Sequence, residues 1–115
     1  MEAERKKLAK FRALMETFVR KWTVEIMYCL YESKTMRFTD LRKTLSGISS
    51  RTLSDRLREL EEMGLVRRTV YAEKPVRVEY ELTPTGRRIG ELAYASFEGL
   101  VDAWDQVVGH KGGRP

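Results

Sequence analysis

One cysteine, Cys29, and one histidine, His110, leave this chain short of most site chemistries. A single thiol forms no intrachain disulfide, which points to a reducing compartment. A Cys/His catalytic pair or a multi-ligand zinc site has no material to draw on. No glycine-rich phosphate loop is present either. No run approaches the roughly 18 consecutive apolar residues of a membrane span. The N-terminal MEAERKKLAKF lacks the apolar centre of a signal peptide. These gaps lead to the expectation of a non-enzymatic, cofactor-free, soluble and cytoplasmic protein.

What the chain has is positive charge in particular places. Its 115 residues suit one domain, and 42% hydrophobic residues supply a single core. The net charge is +5, unevenly spread. Residues 1–21 carry +4, residues 22–33 carry −2, residues 34–58 carry +5 and residues 59–115 carry −2. A basic block in the middle of a chain favours a polyanionic partner, although lysine and arginine are also ordinary solvated surface.

That block overlaps the most strongly patterned stretch, SSRTLSDRLRELEEMG, Ser49 to Gly64. Ser49 is a residue type that can cap a helix start, and Gly64 supplies the left-handed residue that commonly ends a helix. With Leu53 at zero and 100° per residue, Leu57 and Leu60 fall within about 40°, whereas Arg51, Asp55 and Arg58 lie opposite, flanked by Ser54. The preceding TDLRKTLSG offers a shorter helix from Thr39, read as its cap, to about Ser46, broken at Gly47. Its leucines, Leu41 and Leu45, face inward, and Arg42 and Lys43 face out. After Gly64, LVRRTVY and RVEYELT read as a hairpin around AEKP, with Val78, Tyr80 and Leu82 alternating against Arg77, Glu79 and Glu81. Two helices, a glycine turn and a hairpin follow the order of a winged helix-turn-helix.

The flanks add further helices. From Glu2 to about Phe18, Leu8, Phe11, Met15, Phe18 and Trp22 step by 3, 4, 3, 4. This seam packs either on its own domain or on a second copy. KWTVEIMYCLYES, Lys21 to Ser33, reads as a core helix with Trp22, Ile26, Cys29 and Leu30 on one side, so Cys29 is expected buried and inert. Met36 to Phe38 reads as a short strand pairing with the hairpin. Thr83-Pro84 starts a last helix, to about Val108, with two apolar stripes where one small core needs only one. The expected fold is α+β, mainly α: residues 1–20 a helix for dimer contact, 21–83 the DNA-binding core, 84–109 a C-terminal dimerisation helix and 110–115 a disordered tail.

In this motif the first turns of the second helix meet base edges in the major groove. That position selects Ser50, Arg51, Thr52, Ser54 and Asp55, with Arg51 best suited to a bidentate contact with guanine. Arg58 lies a turn further, at phosphate height. Ser49 either caps the helix or shares phosphate binding with its free N–H groups. Asp55 either accepts from cytosine or holds Arg51 and Arg58 at i,i+4 and i,i+3; the second role is preferred. Lys74 and Arg77 at the hairpin tip are candidates for backbone or minor-groove contact, with Glu73 and Glu79 as rivals for them. Glu59, Glu61 and Glu62 read as a solvated face.

The segments KWT, RFTDLRKTLSGIS, RTLSDRLRELEEMGLVRR and YAEKPVRVEYELTPTGR, in that order and spacing up to Arg88, resemble the HxlR-type winged helix transcription regulators of bacteria and archaea. The resemblance implies a homodimer, built from N- and C-terminal helices, on a near-palindromic double-stranded DNA operator. Several members of that family sense electrophiles or oxidants through a cysteine before the KWT segment. This chain has none there, so thiol sensing does not carry over, and the effector is unassigned. Two other readings stay open beside regulation: a winged helix used only as a protein-interaction module, and a sequence-indifferent chromosomal DNA-binding protein.

Overall fold

The computed structural model describes residues 1–110. Its elements run α1 (Glu2–Phe18), α2 (Thr23–Glu32), β1 (Met36–Arg37), α3 (Phe38–Thr44), α4 (Ser50–Glu62), β2 (Val66–Tyr71), β3 (Arg77–Leu82) and α5 (Pro84–His110). The tail expected over 110–115 lies outside the described residues, except for His110, which closes α5.

The core is built from one face of each central element. Ile26 and Leu30 of α2, Leu41 of α3 and Leu53, Leu57 and Leu60 of α4 are fully buried. Tyr80 and Leu82 of β3 close it from the sheet side. Burying a side chain of this size is worth about 1.5–3 kcal/mol, so these six residues fix the two helices of the motif against the sheet. The sheet order is β1-β3-β2, antiparallel throughout. Met36 pairs with Tyr80 and Arg37 with Glu79, so the short strand joins the hairpin edge as its sequence indicated, but it ends at Arg37, and Phe38 already belongs to the next helix.

That pairing also corrects the start of α3. Arg37, held extended in the ladder at φ −82° and ψ 160°, occupies the cap position, and the helix begins at Phe38 without any side-chain cap. Thr39 is therefore inside the helix. The helix ends at Thr44, earlier than Ser46. Gly47, at φ 97°, makes the turn, and Ile48 is buried beneath it.

A second correction concerns Trp22, which belongs to neither helix. It sits at φ 81°, a left-handed conformation that a bulky residue adopts only when its surroundings demand it. The turn between α1 and α2 swings the partly buried indole onto the core, with its ring edge 4.0 Å from where a Cβ on Gly47 would stand. The expected face of α2 is otherwise right: Ile26, Cys29 and Leu30 are buried. Burial, with Glu25 adding to it, pushes the Cys29 thiol up from its ordinary value, which keeps it protonated and unreactive.

The join between the wing and α5 is close-packed. Thr83 donates its backbone N–H to the Leu65 carbonyl at 3.0 Å and its hydroxyl to the Gly64 carbonyl at 2.6 Å, and the same hydroxyl accepts from Gly86 N–H at 3.0 Å. The cap inferred from Thr83-Pro84 is thus in place. A Cβ on Gly86 would stand 2.1 Å from the Leu65 oxygen, so only glycine lets α5 leave the sheet here.

Candidate nucleic-acid interface

α4 carries the candidate interface, and its own sequence sets its limits. The Ser49 hydroxyl accepts from Thr52 N–H at 3.0 Å and donates to Thr52 Oγ1 at 2.9 Å, which closes the helix start. At the other end Gly64, at φ 77°, turns the chain out of the helix, and Leu65 N–H reaches back to the Leu60 carbonyl at 2.9 Å. With its leucine face buried, α4 has one rotational setting. Ser50, Arg51, Ser54 and Arg58 are exposed, and Thr52 and Asp55 are partly so.

The two arginines of this face are in different situations. Arg58 Nη2 donates to Asp55 Oδ1 at 2.6 Å, a pair on exposed surface. Arg51 enters no ion pair or side-chain hydrogen bond among the described residues. Of the two arginines assigned to Asp55 from spacing, it holds only the one at i,i+3. The guanidinium of residue 51 keeps all five donors for a ligand.

Residues that sequence reasoning did not assign hold α4 in position from below. Arg56 Nε donates to the Lys21 carbonyl at 2.9 Å, and its Nη1 meets Glu59 Oε2 at 3.4 Å. Arg20 reaches the same Glu59 oxygen at 3.2 Å. Glu59 is therefore a bridge between two arginines rather than part of a solvated face. Its i,i+3 partner was readable from spacing; the carbonyl of Lys21, 35 residues away, was not.

At the wing, Arg77 is engaged within its own hairpin. Its Nη2 and Nε donate to the two carboxylate oxygens of Glu73 at 2.9 and 3.2 Å, and Nη1 donates to Glu79. Its guanidinium lies 3.8 Å from the Tyr71 ring centre. The hydrogen bonds from Arg77 hold the Glu73 carboxyl below its ordinary value, with the charges of Arg77 and Arg37 acting the same way. The partners shift oppositely, Arg77 being held above its usual range chiefly by Glu73. Arg77 is a brace inside the wing, whereas Lys74, exposed in the turn with its cis Lys74-Pro75 bond, enters no ion pair among the described residues.

Among the described residues no group of three or more His, Cys, Asp or Glu side chains is placed to share a metal ion, and no helix is long and apolar enough to cross a membrane. A helix-turn-helix with an exposed, donor-rich second helix and a three-stranded wing defines a winged-helix nucleic-acid-binding protein.

Comparison with known proteins gives the particular family. Residues 18–106 match the HxlR-like helix-turn-helix model, and the chain belongs to that family. It is similar to the uncharacterised HTH-type transcriptional regulator YvaP of Bacillus subtilis (strain 168), 35% identical over 95 residues that cover 83% of this chain and 82% of the relative. Among solved structures it is similar to the reduced form of the transcriptional regulator YodB from B. subtilis, with TM-score 0.70 and 31% identity over 84% of this chain and 90% of that one. It is likewise similar to the redox regulator HypR in its reduced form, with TM-score 0.77 and 30% identity over 85% and 96% of the two chains. The protein is thus a DNA-binding transcription regulator of winged helix-turn-helix type, as the names of these relatives are those of transcriptional regulators.

Proposed function

We propose that the protein is a cytoplasmic homodimer that binds a near-palindromic operator sequence-specifically. Each copy lays α4 in a major groove, with the two grooves about one DNA turn, roughly 34 Å, apart. The observation that carries this reading is the unengaged, solvent-facing Arg51 on a helix whose every other arginine is committed. Arg51 makes the bidentate contact with guanine; Ser50, Thr52 and Ser54 face neighbouring base edges. Asp55 positions Arg58 for phosphate. Ser49 serves first as the cap, its hydroxyl being occupied by Thr52. Lys74 touches backbone or minor groove from the wing, and Arg77 holds the wing in shape.

Dimerisation is supported by apolar surface that the single chain leaves uncovered. α1 buries none of its residues, although Leu8, Phe11, Leu14 and Met15 all lie on it. Helices of this length gain their stability from packing an apolar face. α5 likewise exposes Leu92, Leu100, Trp104 and Val107. Exposed apolar patches of this kind mark protein interfaces.

Selection of bound duplexes from a random pool tests the proposal: an inverted repeat is the expected product. Arg51→Ala is expected to cost about 1–3 kcal/mol on that site and to relax one position per half-site. Equal loss on all sequences moves Arg51 to a phosphate role and favours indifferent DNA coating. Binding that is absent, or that lacks the log-log salt slope of about −0.9 per phosphate contact, favours the protein-interaction module.

A further inference from the structure

Where the end of α1 passes the end of α4 lies an open groove of about 360 Å³, within the roughly 300–1,000 Å³ of ligand pockets. Glu16 comes to it from α1, Arg20 from the turn that follows, Thr23 from the start of α2, and Glu59, Glu62 and Met63 from the end of α4. The groove lies away from the surface offered to a second copy. On α1, Glu16 and Thr17 fall within about 60° of Ala13, which also lines the groove, whereas the exposed Leu8, Phe11, Leu14 and Met15 fall roughly 100 to 160° from it. No described lining residue belongs to α5. A partner docked on the apolar faces of α1 and α5 therefore leaves this groove open.

Its polar groups are unevenly satisfied. Glu59 is held by Arg20 at 3.2 Å and by Arg56 at 3.4 Å. Glu16 and Glu62, one from each wall, are exposed and enter no ion pair among the described residues. At the base, Thr23 is 2% exposed, and its hydroxyl makes no hydrogen bond among the described residues. No side-chain oxygen without a partner is sealed from solvent among those residues, so the Thr23 hydroxyl opens onto the groove that Thr23 lines. A polar group left without a partner on so buried a residue marks the place for a ligand donor.

Two separate carboxylates and one hydroxyl, all without partners, specify a ligand with two cationic heads. A single metal ion does not fit, because no three acidic side chains are placed to share one among the described residues. Ala13, Leu60 and Met63 add apolar wall for a hydrocarbon linker.

We propose that this groove is an effector site for linear aliphatic diamines, with one ammonium on Glu16, the other on Glu62, and one of the two also donating to the Thr23 hydroxyl. Ammonium–carboxylate hydrogen bonds are of the stronger, charge-assisted kind, and making two at once separates a diamine from a monoamine. The ligand bridges α1, an arm of the proposed dimer, to α4, beside the tie that Glu59 already makes to Arg20. Control of DNA affinity through this junction rests on the operator-binding reading; the binding of the diamine does not.

The test is calorimetric titration of the full chain, without DNA, with the terminal diamines of butane and hexane, each set against the matching monoamine. One diamine per chain is expected, with the monoamines and magnesium chloride binding at least tenfold more weakly. Glu16→Gln/Glu62→Gln is expected to lose at least tenfold in diamine affinity and Thr23→Val at least threefold, both keeping the circular dichroism of the parent. Should the double variant fail to fold, Thr23→Val decides alone. Glu91→Gln/Glu98→Gln, on α5, is expected to bind as the parent does. Absence of diamine binding, equal affinity for the monoamines, or parental affinity in the Glu16/Glu62 variant overturns the proposal. A loss confined to the Glu91/Glu98 variant overturns it too, by moving the dication to α5. Because no DNA is present, these outcomes are independent of whether the operator-binding reading holds. With the selected duplex added, saturating diamine is expected to change DNA affinity at least fivefold, and a bound diamine that leaves it unchanged overturns the effector role.

Discussion

α4 and α5 are both amphipathic helices with regularly spaced apolar residues, yet they use them in opposite ways. In α4 the leucines are spent inward: Leu53, Leu57 and Leu60 are 0%, 1% and 1% exposed, and the outward face is wholly polar. In the outer half of α5, Leu100 and Trp104 are 61% and 63% exposed. One helix is defined by its own chain and offers polar groups to a partner. The other reaches beyond its own core and offers apolar surface. Surplus apolar residues in a small domain thus locate assembly, and their absence on a helix face locates solution chemistry.

The comparison is broken most strongly from the inside. Leu57→Ala removes a fully buried side chain and is expected to cost about 2–5 kcal/mol of stability, read from denaturant unfolding. The matching change on α5, Leu100→Ala, should leave thermal stability of the dilute monomer nearly unchanged. Trp104→Glu places a charge on the exposed stripe, and sedimentation should show the dimer converted to monomer with the fold intact by circular dichroism. An unchanged mass would remove Trp104 from the interface.

Smaller effects sharpen the polar side of the contrast. Ser49→Ala deletes the cap of α4 and is expected to cost about 1 kcal/mol, with DNA affinity falling because the helix start frays. If Ser49 instead contributed chiefly a phosphate contact, affinity would fall with stability unchanged. The mildest perturbation is acid. Glu73 is held below its ordinary carboxyl value, so its contribution is complete above the unfolded value of about 4.3 and is lost as pH falls through the lower, folded value. Amide exchange in β2 and β3, corrected for its intrinsic pH dependence, should show protection falling only in that acidic window and should be flat from there to neutrality.

Local chemistry was legible in the sequence; contacts between distant segments were not. The limits of α4, the caps at Ser49 and Thr83 and the glycine at 64 are decided within four or five residues, and each is where spacing placed it. Thr39 failed as a cap because β1 pairs with β3 and carries Arg37 into the capping position, a tertiary effect on a local rule. Trp22 looked like the next step of a helical seam, but packing against the turn at Gly47 outweighs the strain of its backbone. In the candidate site, the exposure of Ser50, Arg51, Ser54 and Arg58 followed from helical periodicity alone. The brace at Arg77 combines a near neighbour, Glu73, with an aromatic ring across the hairpin, so periodicity showed the charges without showing who holds them.

The flush seating of Gly86 against the Leu65 oxygen, and the packing of Tyr94 on Tyr28 and Tyr31 of α2, make α5 an outrigger, about 40 Å long, held over its first half and projecting over its second. In a pair of such molecules, the crossing point of the two outriggers decides how far apart the reading heads stand. On the proposed operator-binding reading, base preference at Arg51 and the gap between half-sites are then governed by separate parts of the chain, so that one can change while the other is kept.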